Sequence, residues 1–344
     1  MSAGGRVDGR GLDGRGLDGC VLVEAPWLMS LSVVGDDAVE YLQGRLSCDV
    51  AGLAPGQGAH ALLLTRQGRV QELLAVYRRA DDLLLVVDRG RADSVMAALE
   101  EFIVADDVEF ESCEQAGSLL LTGQDAPALL AGAASDFSER DLSELNLSGL
   151  ALNLRRRADL CVPSFELLPG PGSDPAQLSA ALEELGASKG EPALLDRMRI
   201  ESGTPAVGVD VDEQRMAIEA RLEWAIHFAK GCYVGQEVIE RSVSRGRVNH
   251  LLGLLQIDPA GAAVHAAELV GLQVAGGSPA DVVTSVSMGA GGDSEAVLAL
   301  AYLPAAMAET GSVVELERDG VVLARATVVE WPRPHVLAGR QSPA

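Results

Sequence analysis

The chain has 344 residues, enough for about two domains that each bury a core. Its 50 acidic and 27 basic residues give a formal net charge of −23, which disfavours nucleic acid or an anionic membrane as the partner of a broad surface. The sequence has no uncharged apolar run of about 18 residues and lacks the pattern of a secretory signal, so we expect a cytoplasmic protein that does not contact membranes.

The N-terminal segment is rich in glycine and repeats the pentapeptide GRGLD. It buries too little apolar surface to offset the entropy of ordering, so we predict a flexible tail over residues 1–19. A strand over 31–34 then precedes a helix that begins at Gly35-Asp36, where Asp36 or Asp37 is expected to cap the free N–H groups.

Two strands, over 59–65 and 70–78, flank the sequence Arg66-Gln67-Gly68-Arg69. This sequence is typical of a hairpin turn because glycine adopts positive φ without strain. A third strand over 83–87 and an amphipathic helix over 91–104 follow. Strands and helices in this unequal order indicate an α+β fold rather than a doubly wound sheet.

The middle of the chain repeats this mixture more loosely, with a strand over 118–122 and a helix after Asp125. Two more helices are predicted, over 175–185 and 191–202. From His250 onward, short apolar runs alternate with Gly, Pro and Asp, which predicts a small antiparallel β-barrel.

The change of composition near Asn249 suggests a domain boundary. We predict an α+β domain over 20–249 and a C-terminal β-barrel over 250–335. A second flexible tail is expected over 336–344.

The most distinctive segment is Lys230-Gly231-Cys232-Tyr233-Val234-Gly235-Gln236-Glu237. It contains one of the two lysines and one of the five cysteines of the chain. The wide spacing of the five cysteines argues against a disulfide framework or a metal site. Its glycines allow tight turns or close backbone approach. Lys230 and the N-terminus of the following helix would favour the thiolate of Cys232, so this thiol is a candidate functional group; the alternative is a buried, inert thiol.

This octapeptide resembles the signature of the YgfZ family of folate-binding proteins, which are relatives of the aminomethyltransferase (T-protein) of the glycine cleavage system. The resemblance extends over about residues 21–330 and includes Arg199-Ile-Glu-Ser-Gly-Thr-Pro and Gly208-Val-Asp-Val-Asp-Glu213. It implies an aminomethyltransferase-like folate-binding domain followed by a small β-barrel. It also implies tetrahydrofolate, or another folate derivative, as the cofactor.

Glu201 is the candidate for recognition of the pterin ring. A pterin presents a ring N–H beside an amino group, and one carboxylate can accept hydrogen bonds from both. Glu201 follows Leu194 by seven residues and Met198 by three, which places it on the apolar stripe of its helix. The alternative from spacing alone is an exposed glutamate at a helix end. The resemblance likewise assigns a pterin-binding glutamate to this position.

The carboxylate tail of folate requires local cations in an acidic protein. Residues 214–250 carry six basic and four acidic residues, and we select Arg241 and Arg245 as candidates for binding the tail. The alternative is an ordinary fluctuation of charge.

Three further groups of residues are expected to have structural roles. They are a solvated acidic turn at Asp210, Asp212 and Glu213, a core pair at Trp224 and Phe228, and a structural histidine at His227.

The residues after the hairpin separate two functional hypotheses. T-proteins have an acidic pair there that includes the catalytic aspartate, whereas this chain has Gln71 and Glu72. This departure and the cysteine motif favour a YgfZ-type protein, a family that supports the assembly or repair of iron–sulfur enzymes, including enzymes that modify tRNA. The implied partners are folate and iron–sulfur enzymes or cluster-assembly proteins, without direct contact to nucleic acid. The alternatives are a folate-dependent aminomethyltransferase assisted by Glu72 and a folate sensor without chemistry.

Overall fold

A computed structural model of the chain describes residues 19–25, 28–113, 118–134, 140–170, 173–245, 248–258, 265–287 and 297–332. Within these ranges it contains six α-helices and 17 strands in three sheets. Of the two predicted tails, all residues except Gly19 lie outside the described part of the chain.

The elements follow one another in a mixed order that agrees with the predicted α+β class. The helices are α1 (Ala38–Arg45), α2 (Ala92–Glu100), α3 (Ala126–Ala133), α4 (Pro175–Glu184), α5 (Ala193–Glu201) and α6 (Gln236–Arg245). The first seven strands are β1 (Val21–Glu24), β2 (Leu28–Val34), β3 (Gly58–Leu64), β4 (Val70–Arg78), β5 (Leu83–Asp88), β6 (Glu109–Cys113) and β7 (Leu119–Thr122). The later strands are β8 (Leu142–Leu147), β9 (Leu150–Arg157), β10 (Ser164–Pro169), β11 (Ser188–Lys189), β12 (His250–Ile257), β13 (Gln273–Val274), β14 (Val283–Ser287), β15 (Leu298–Pro304), β16 (Val313–Arg318) and β17 (Val321–Val328).

The first sheet is antiparallel with strand order β3-β4-β5-β2-β6. Its strands β2, β3 and β5 contribute Leu31, Leu63 and Leu85 to a core that also contains Leu42 of α1 and Leu99 of α2. The predicted hairpin between β3 and β4 is confirmed, with Gly68 at φ +70° in its turn.

The second sheet has strand order β11-β1-β7-β10-β9-β8, and only its β1–β11 pair is parallel. A buried charged residue connects it to the first sheet. Arg155 of β9 donates to Glu166 Oε1 of β10 at 2.5 Å and to Ser30 Oγ of β2 at 2.8 Å. Arg155 therefore connects the second sheet to the first through a buried side chain.

The third sheet is a curled antiparallel sheet with strand order β13-β16-β17-β12-β15-β14. Its two edges meet at a bridge between Gln273 and Val282, and Val274 N donates to Asp281 O at 2.9 Å. Its core consists of aliphatic residues such as Leu255, Leu272 and Leu316. The predicted C-terminal antiparallel β-structure is confirmed, and its first strand starts at His250.

Two local predictions differ from the structure. Helix α2 ends at Glu100, before Ile103, which packs against the first core from outside the helix. Asp37 occupies the N-cap of α1 without a side-chain cap, because its Oδ2 accepts a hydrogen bond from Asp107 N at 2.8 Å instead. In the described part of the chain, no helix is long and apolar enough to cross a membrane.

Candidate functional site

A cavity of about 510 Å³ lies where the first two sheets meet α5 and the segment after it. Its apolar wall includes Leu73, Ala75 and Tyr77 of β4, Val86 of β5 and Leu120 of β7. Its charged and polar lining includes His60, Glu72, Arg157, Asp159, Asp196 and Arg199. An apolar pocket of several hundred Å³ with a few polar groups is typical of a small-molecule site.

An ion pair between a partly buried arginine and a buried aspartate forms one polar corner of this cavity. Arg157 Nε and Nη2 donate to the two carboxylate oxygens of Asp159 at 2.8 and 2.6 Å. Burial by itself would raise the pKa of Asp159, but the charge and hydrogen bonds of Arg157 outweigh it and lower the pKa to about 2. The carboxyl group is therefore ionised at neutral pH.

His60 of β3 lies beside this pair. Its side chain is 7% exposed, its Nε2 is 3.8 Å from Asp159 Oδ1, and its ring packs edge-on against Trp224 at a centroid distance of 5.0 Å. Burial lowers the pKa of His60 to about 4, so the imidazole is neutral at pH 7. His60 is not among the predicted site residues, and its signal in the sequence is that of a lone histidine within the apolar strand Gly58–Leu64.

Glu72 is buried on the cavity wall and forms an ion pair with a half-buried arginine. Its Oε2 accepts a hydrogen bond from Arg91 Nε at 2.5 Å, and its Oε1 accepts one from Leu73 N at 3.1 Å. Burial raises the pKa of Glu72, and Arg91 opposes this shift. A carboxylate offers about four lone-pair positions, so two hydrogen bonds leave capacity for a ligand.

Helix α5 contributes Asp196 and Arg199 to the cavity lining and connects it to the third sheet. Arg199 Nη1 donates to Asp210 Oδ2 at 2.7 Å, and Arg199 Nη2 donates to Ser285 Oγ of β14 at 2.9 Å. The expectation of a solvated acidic turn is wrong for Asp210, which is buried because Arg199 and two hydroxyl groups of β14 surround its carboxylate. Asp212 and Glu213 are exposed, as expected.

Glu201 is the last residue of α5 and is partly exposed. Its Oε1 accepts a hydrogen bond from Arg197 Nε at 2.6 Å, one turn earlier in the helix. Glu201 is not among the described residues that line the cavity. Its role in pterin recognition therefore stays a prediction.

Lys230 has a structural environment that the motif does not predict. Its Nζ donates to the carbonyl oxygens of Gln43, Leu46 and Cys48, each at 2.6 Å. These three hydrogen bonds use all the protons of the ammonium group, so none is left for a thiolate at Cys232. The expectation that Lys230 activates Cys232 is therefore replaced by a role in capping the C-terminal end of α1.

Of the remaining motif residues, some are packed in a core and others are exposed at the surface. Tyr233 is buried in a core with Trp224, while Phe228 packs against that core, which confirms the predicted core pair. Gly235 has φ +85° and lies against the β3–β4 hairpin, and α6 begins directly after it, as predicted. Cys232 is exposed, so the alternative of a buried thiol is wrong.

Other members of the motif lie at the surface, either before α6 or in its first turn. Gly231 and Glu237 are exposed, and Gln236 Nε2 donates to Glu240 Oε1 at 2.7 Å. Among the described residues of the motif, none lines the cavity.

The two arginines selected for a carboxylate tail lie on α6. Arg241 is exposed and is not among the described lining residues of the cavity. The side chain of Arg245 lies outside the described part of the structure. Within the described cavity lining, the cations are Arg157 and Arg199 instead.

Comparisons with known proteins give a consistent family assignment. The GCVT N-terminal domain model matches residues 18–230. An aminomethyltransferase from Rubrobacter xylanophilus is 30% identical over 277 residues, which cover 78% of this chain and 72% of that protein. A mitochondrial aminomethyltransferase from Flaveria trinervia is 28% identical over 254 residues, which cover 69% of this chain and 62% of that protein, so the chain spans less than two thirds of this relative.

A solved structure agrees at the level of the fold. The glycine cleavage system aminomethyltransferase T from Bartonella henselae superposes with a TM-score of 0.76 at 23% sequence identity, covering 93% of this chain and 88% of that one. The agreement extends through the third sheet, beyond the matched domain. The chain belongs to the GCVT N-terminal domain family and has the fold of the aminomethyltransferase superfamily.

Proposed function

We propose that this protein binds a reduced folate in the cavity between the first two sheets and α5. The observation that carries the proposal is the cavity itself, which combines an apolar wall with buried charged groups. A pterin is a flat ring with polar edges, so Leu73 and Tyr77 supply surface for its faces, while a buried carboxylate such as Glu72 can accept from its N–H groups. Glu201 can contact the pterin only if α5 moves its carboxylate into the cavity when folate binds.

The activity that the relatives favour is one-carbon transfer. The similar proteins from Rubrobacter xylanophilus and Flaveria trinervia are named aminomethyltransferase, and we propose folate-dependent aminomethyl transfer as the function of this chain. Glu72 is then the carboxylate that positions the folate nitrogen that receives the one-carbon unit. Arg91 holds that carboxylate in place through the 2.5 Å contact.

A second candidate function has its own supporting observation. Cys232 is exposed within the motif that resembles the YgfZ signature, and an exposed thiol is available to a partner. A YgfZ-type protein would bind folate in the same cavity and support the assembly or repair of iron–sulfur enzymes. Contact with tRNA-modifying enzymes would be through protein surfaces, because the net charge of −23 repels nucleic acid.

Calorimetric titration with tetrahydrofolate tests the binding step. We expect saturable binding that weakens at least tenfold in Glu72→Gln, with the exposed Glu213→Gln as the matched control that binds normally. Titration of Glu201→Gln then tests the predicted pterin contact. A wild-type protein that does not bind tetrahydrofolate contradicts both candidate functions.

Two further assays separate the candidate functions. Turnover of an aminomethyl donor with tetrahydrofolate, lost in Glu72→Gln, supports aminomethyl transfer. Complementation of a strain deficient in iron–sulfur enzyme activity supports the second function if wild type rescues and Cys232→Ser does not. Cys161→Ser is the control for loss of a thiol, because Cys161 is a second free cysteine outside the motif.

A further inference from the structure

Arg157 has hydrogen-bond donors that its ion pair does not use. Its Nε and Nη2 donate to the two oxygens of Asp159, which is the side-on contact of a guanidinium with a carboxylate. In the described part of the chain, Asp159 is the only hydrogen-bond acceptor of this side chain. A guanidinium has five N–H donors, so three remain available to a ligand, two of them on Nη1.

The strand β9 directs Arg157 toward the first sheet. Arg155, two residues earlier in this strand, donates to Ser30 Oγ of β2, and residues two apart in a strand project from the same face. Arg157 lines the cavity together with His60 of β3 and Tyr77 of β4. Its side chain is 22% exposed, so a ligand in the cavity can reach it.

The charges around Arg157 determine which kind of ligand atom it can bind. Burial by itself would lower the pKa of Arg157, but the charge and hydrogen bond of Asp159 outweigh burial and raise it, so the guanidinium stays charged. Asp159 also neutralises this cation. The described lining holds four carboxylates against two arginines, the other three being Glu72, Asp88 and Asp196. A further anion is therefore disfavoured, and the free donors suit a neutral carbonyl oxygen.

We propose that Arg157 is the residue by which the cavity recognises the C4 carbonyl oxygen of the pterin ring, with its unused N–H groups as donors. The inference rests on the proposed folate site. In a pterin this carbonyl is adjacent to the ring N–H that a carboxylate such as Glu72 can accept, and the cavity lining supplies both an acceptor and a donor. A guanidinium only donates, so Arg157 favours a ring with oxygen at C4 over a ring with an amino group there.

The test compares tetrahydrofolate with 4-amino-4-deoxytetrahydrofolate, which carries an amino group in place of the C4 carbonyl oxygen. Anaerobic calorimetry measures both affinities, and their ratio is the preference for the 4-oxo ring. We expect this preference to be at least tenfold lower in Arg157→Met than in wild type, because methionine cannot donate to the carbonyl. Any effect of the amino group on the contact with Glu72 is common to both proteins and cancels in the comparison.

Two further variants control for charge and for damage to the fold. Arg156 is the neighbouring residue of β9, projects from the opposite face and is not among the described lining residues, so Arg156→Met should change the preference by less than threefold. Arg157→Met leaves Asp159 without its cation, whereas the double variant Arg157→Met/Asp159→Asn removes both charges. The double variant should lose the preference to the same extent, and thermal unfolding establishes that each variant is folded.

The outcomes separate this inference from the proposed function. If wild type does not bind tetrahydrofolate, the proposed function is wrong. If wild type binds it but a folded Arg157 variant keeps the wild-type preference within threefold, the role of Arg157 is wrong while the folate site stands. The same conclusion follows if Arg156→Met lowers the preference as much as Arg157→Met.

Discussion

At the scale of single residues, the lysine of the motif has a structural reason to be a lysine. A compact ammonium group can donate in three directions, and the carbonyl oxygens of Gln43, Leu46 and Cys48 surround Lys230 Nζ. The ring of Tyr233 lies 5.2 Å from the same nitrogen. A planar guanidinium cannot reproduce this arrangement, which distinguishes Lys230 from the 25 arginines of the chain.

We predict that Lys230→Met lowers the free energy of unfolding by roughly 2–4 kcal/mol, because three buried carbonyl groups lose a charged donor. Lys230→Arg should also be destabilised. The measurement is urea denaturation followed by circular dichroism. Lys189→Met is the matched control, because Lys189 is the only other lysine of the chain and its side chain is 68% exposed. This substitution should change the free energy of unfolding by less than about 0.5 kcal/mol. Equal stability of the two Met variants would contradict the capping role.

A second prediction at this scale concerns stability in acid. Burial lowers the pKa of His60 to about 4, so between pH 6.5 and pH 4 the unfolded chain binds a proton that the folded protein does not. Stability should fall by roughly 3 kcal/mol across this window as the pH decreases. Denaturation midpoints measured from pH 7 to pH 4 should show a shallower loss in His60→Leu than in wild type. The same slope in both proteins would exclude His60 as its cause.

At the level of secondary structure, the octapeptide packs the start of α6 closely against the β3–β4 hairpin. A Cβ atom added at Gly235 would lie 2.7 Å from Thr65 O, and one added at Gly68 would lie 2.9 Å from Val238 Cβ. Both glycines have positive φ, so each combines a left-handed backbone with a close approach. The motif therefore fixes the start of α6 against the hairpin.

We expect Gly235→Ala to destabilise the protein by roughly 2–4 kcal/mol through backbone strain and a clash with Thr65 O. Gly231→Ala provides a control four residues away, because a Cβ there has no neighbour within 4 Å in the described structure. Thermal unfolding of the two variants gives the comparison. If Gly235→Ala is as stable as Gly231→Ala, the contact between residue 235 and the hairpin tolerates a side chain.

At the scale of the whole molecule, one ion pair connects the cavity to the third sheet. Arg199 of the cavity-lining helix donates to Asp210, whose Oδ1 accepts from Ser285 Oγ at 2.6 Å and from Thr284. Asp210 Oδ2 also accepts from Ala206 N at 2.9 Å, within the segment that follows α5. The third sheet thus contributes to the position of a cavity wall, although the boundary at residues 249/250 stays a prediction.

Asp210→Ala should lower the free energy of unfolding by roughly 3–5 kcal/mol, because it leaves Arg199 with one carboxylate partner fewer and removes the acceptor of the buried Ser285 hydroxyl and the partly buried Thr284 hydroxyl. Differential scanning calorimetry measures the effect. Glu213→Ala removes an exposed acidic residue of the same segment and should leave the unfolding temperature within about 2 °C of wild type. A similarly small change in Asp210→Ala would mean that the connection does not stabilise the molecule.

Elements with local signals could be predicted from the sequence. The hairpin around Gly68, the periodic helices and the short apolar runs after His250 follow from backbone preference and hydrophobic spacing, and the octapeptide was visible from its rare residues. The starts of α4, α5 and α6 lie within two residues of their predicted positions.

The contacts of the polar residues, in contrast, depend on the tertiary fold. The carbonyl partners of Lys230 are more than 180 residues away in the chain, and Asp210 is buried by groups on β14, so neither environment has a local signal. His60 lies in a strand whose pattern is apolar, and its importance depends on a cavity formed by two sheets and a helix. Partners distant in sequence are brought together by folding, which is why residue type and spacing identified the motif but not the cavity.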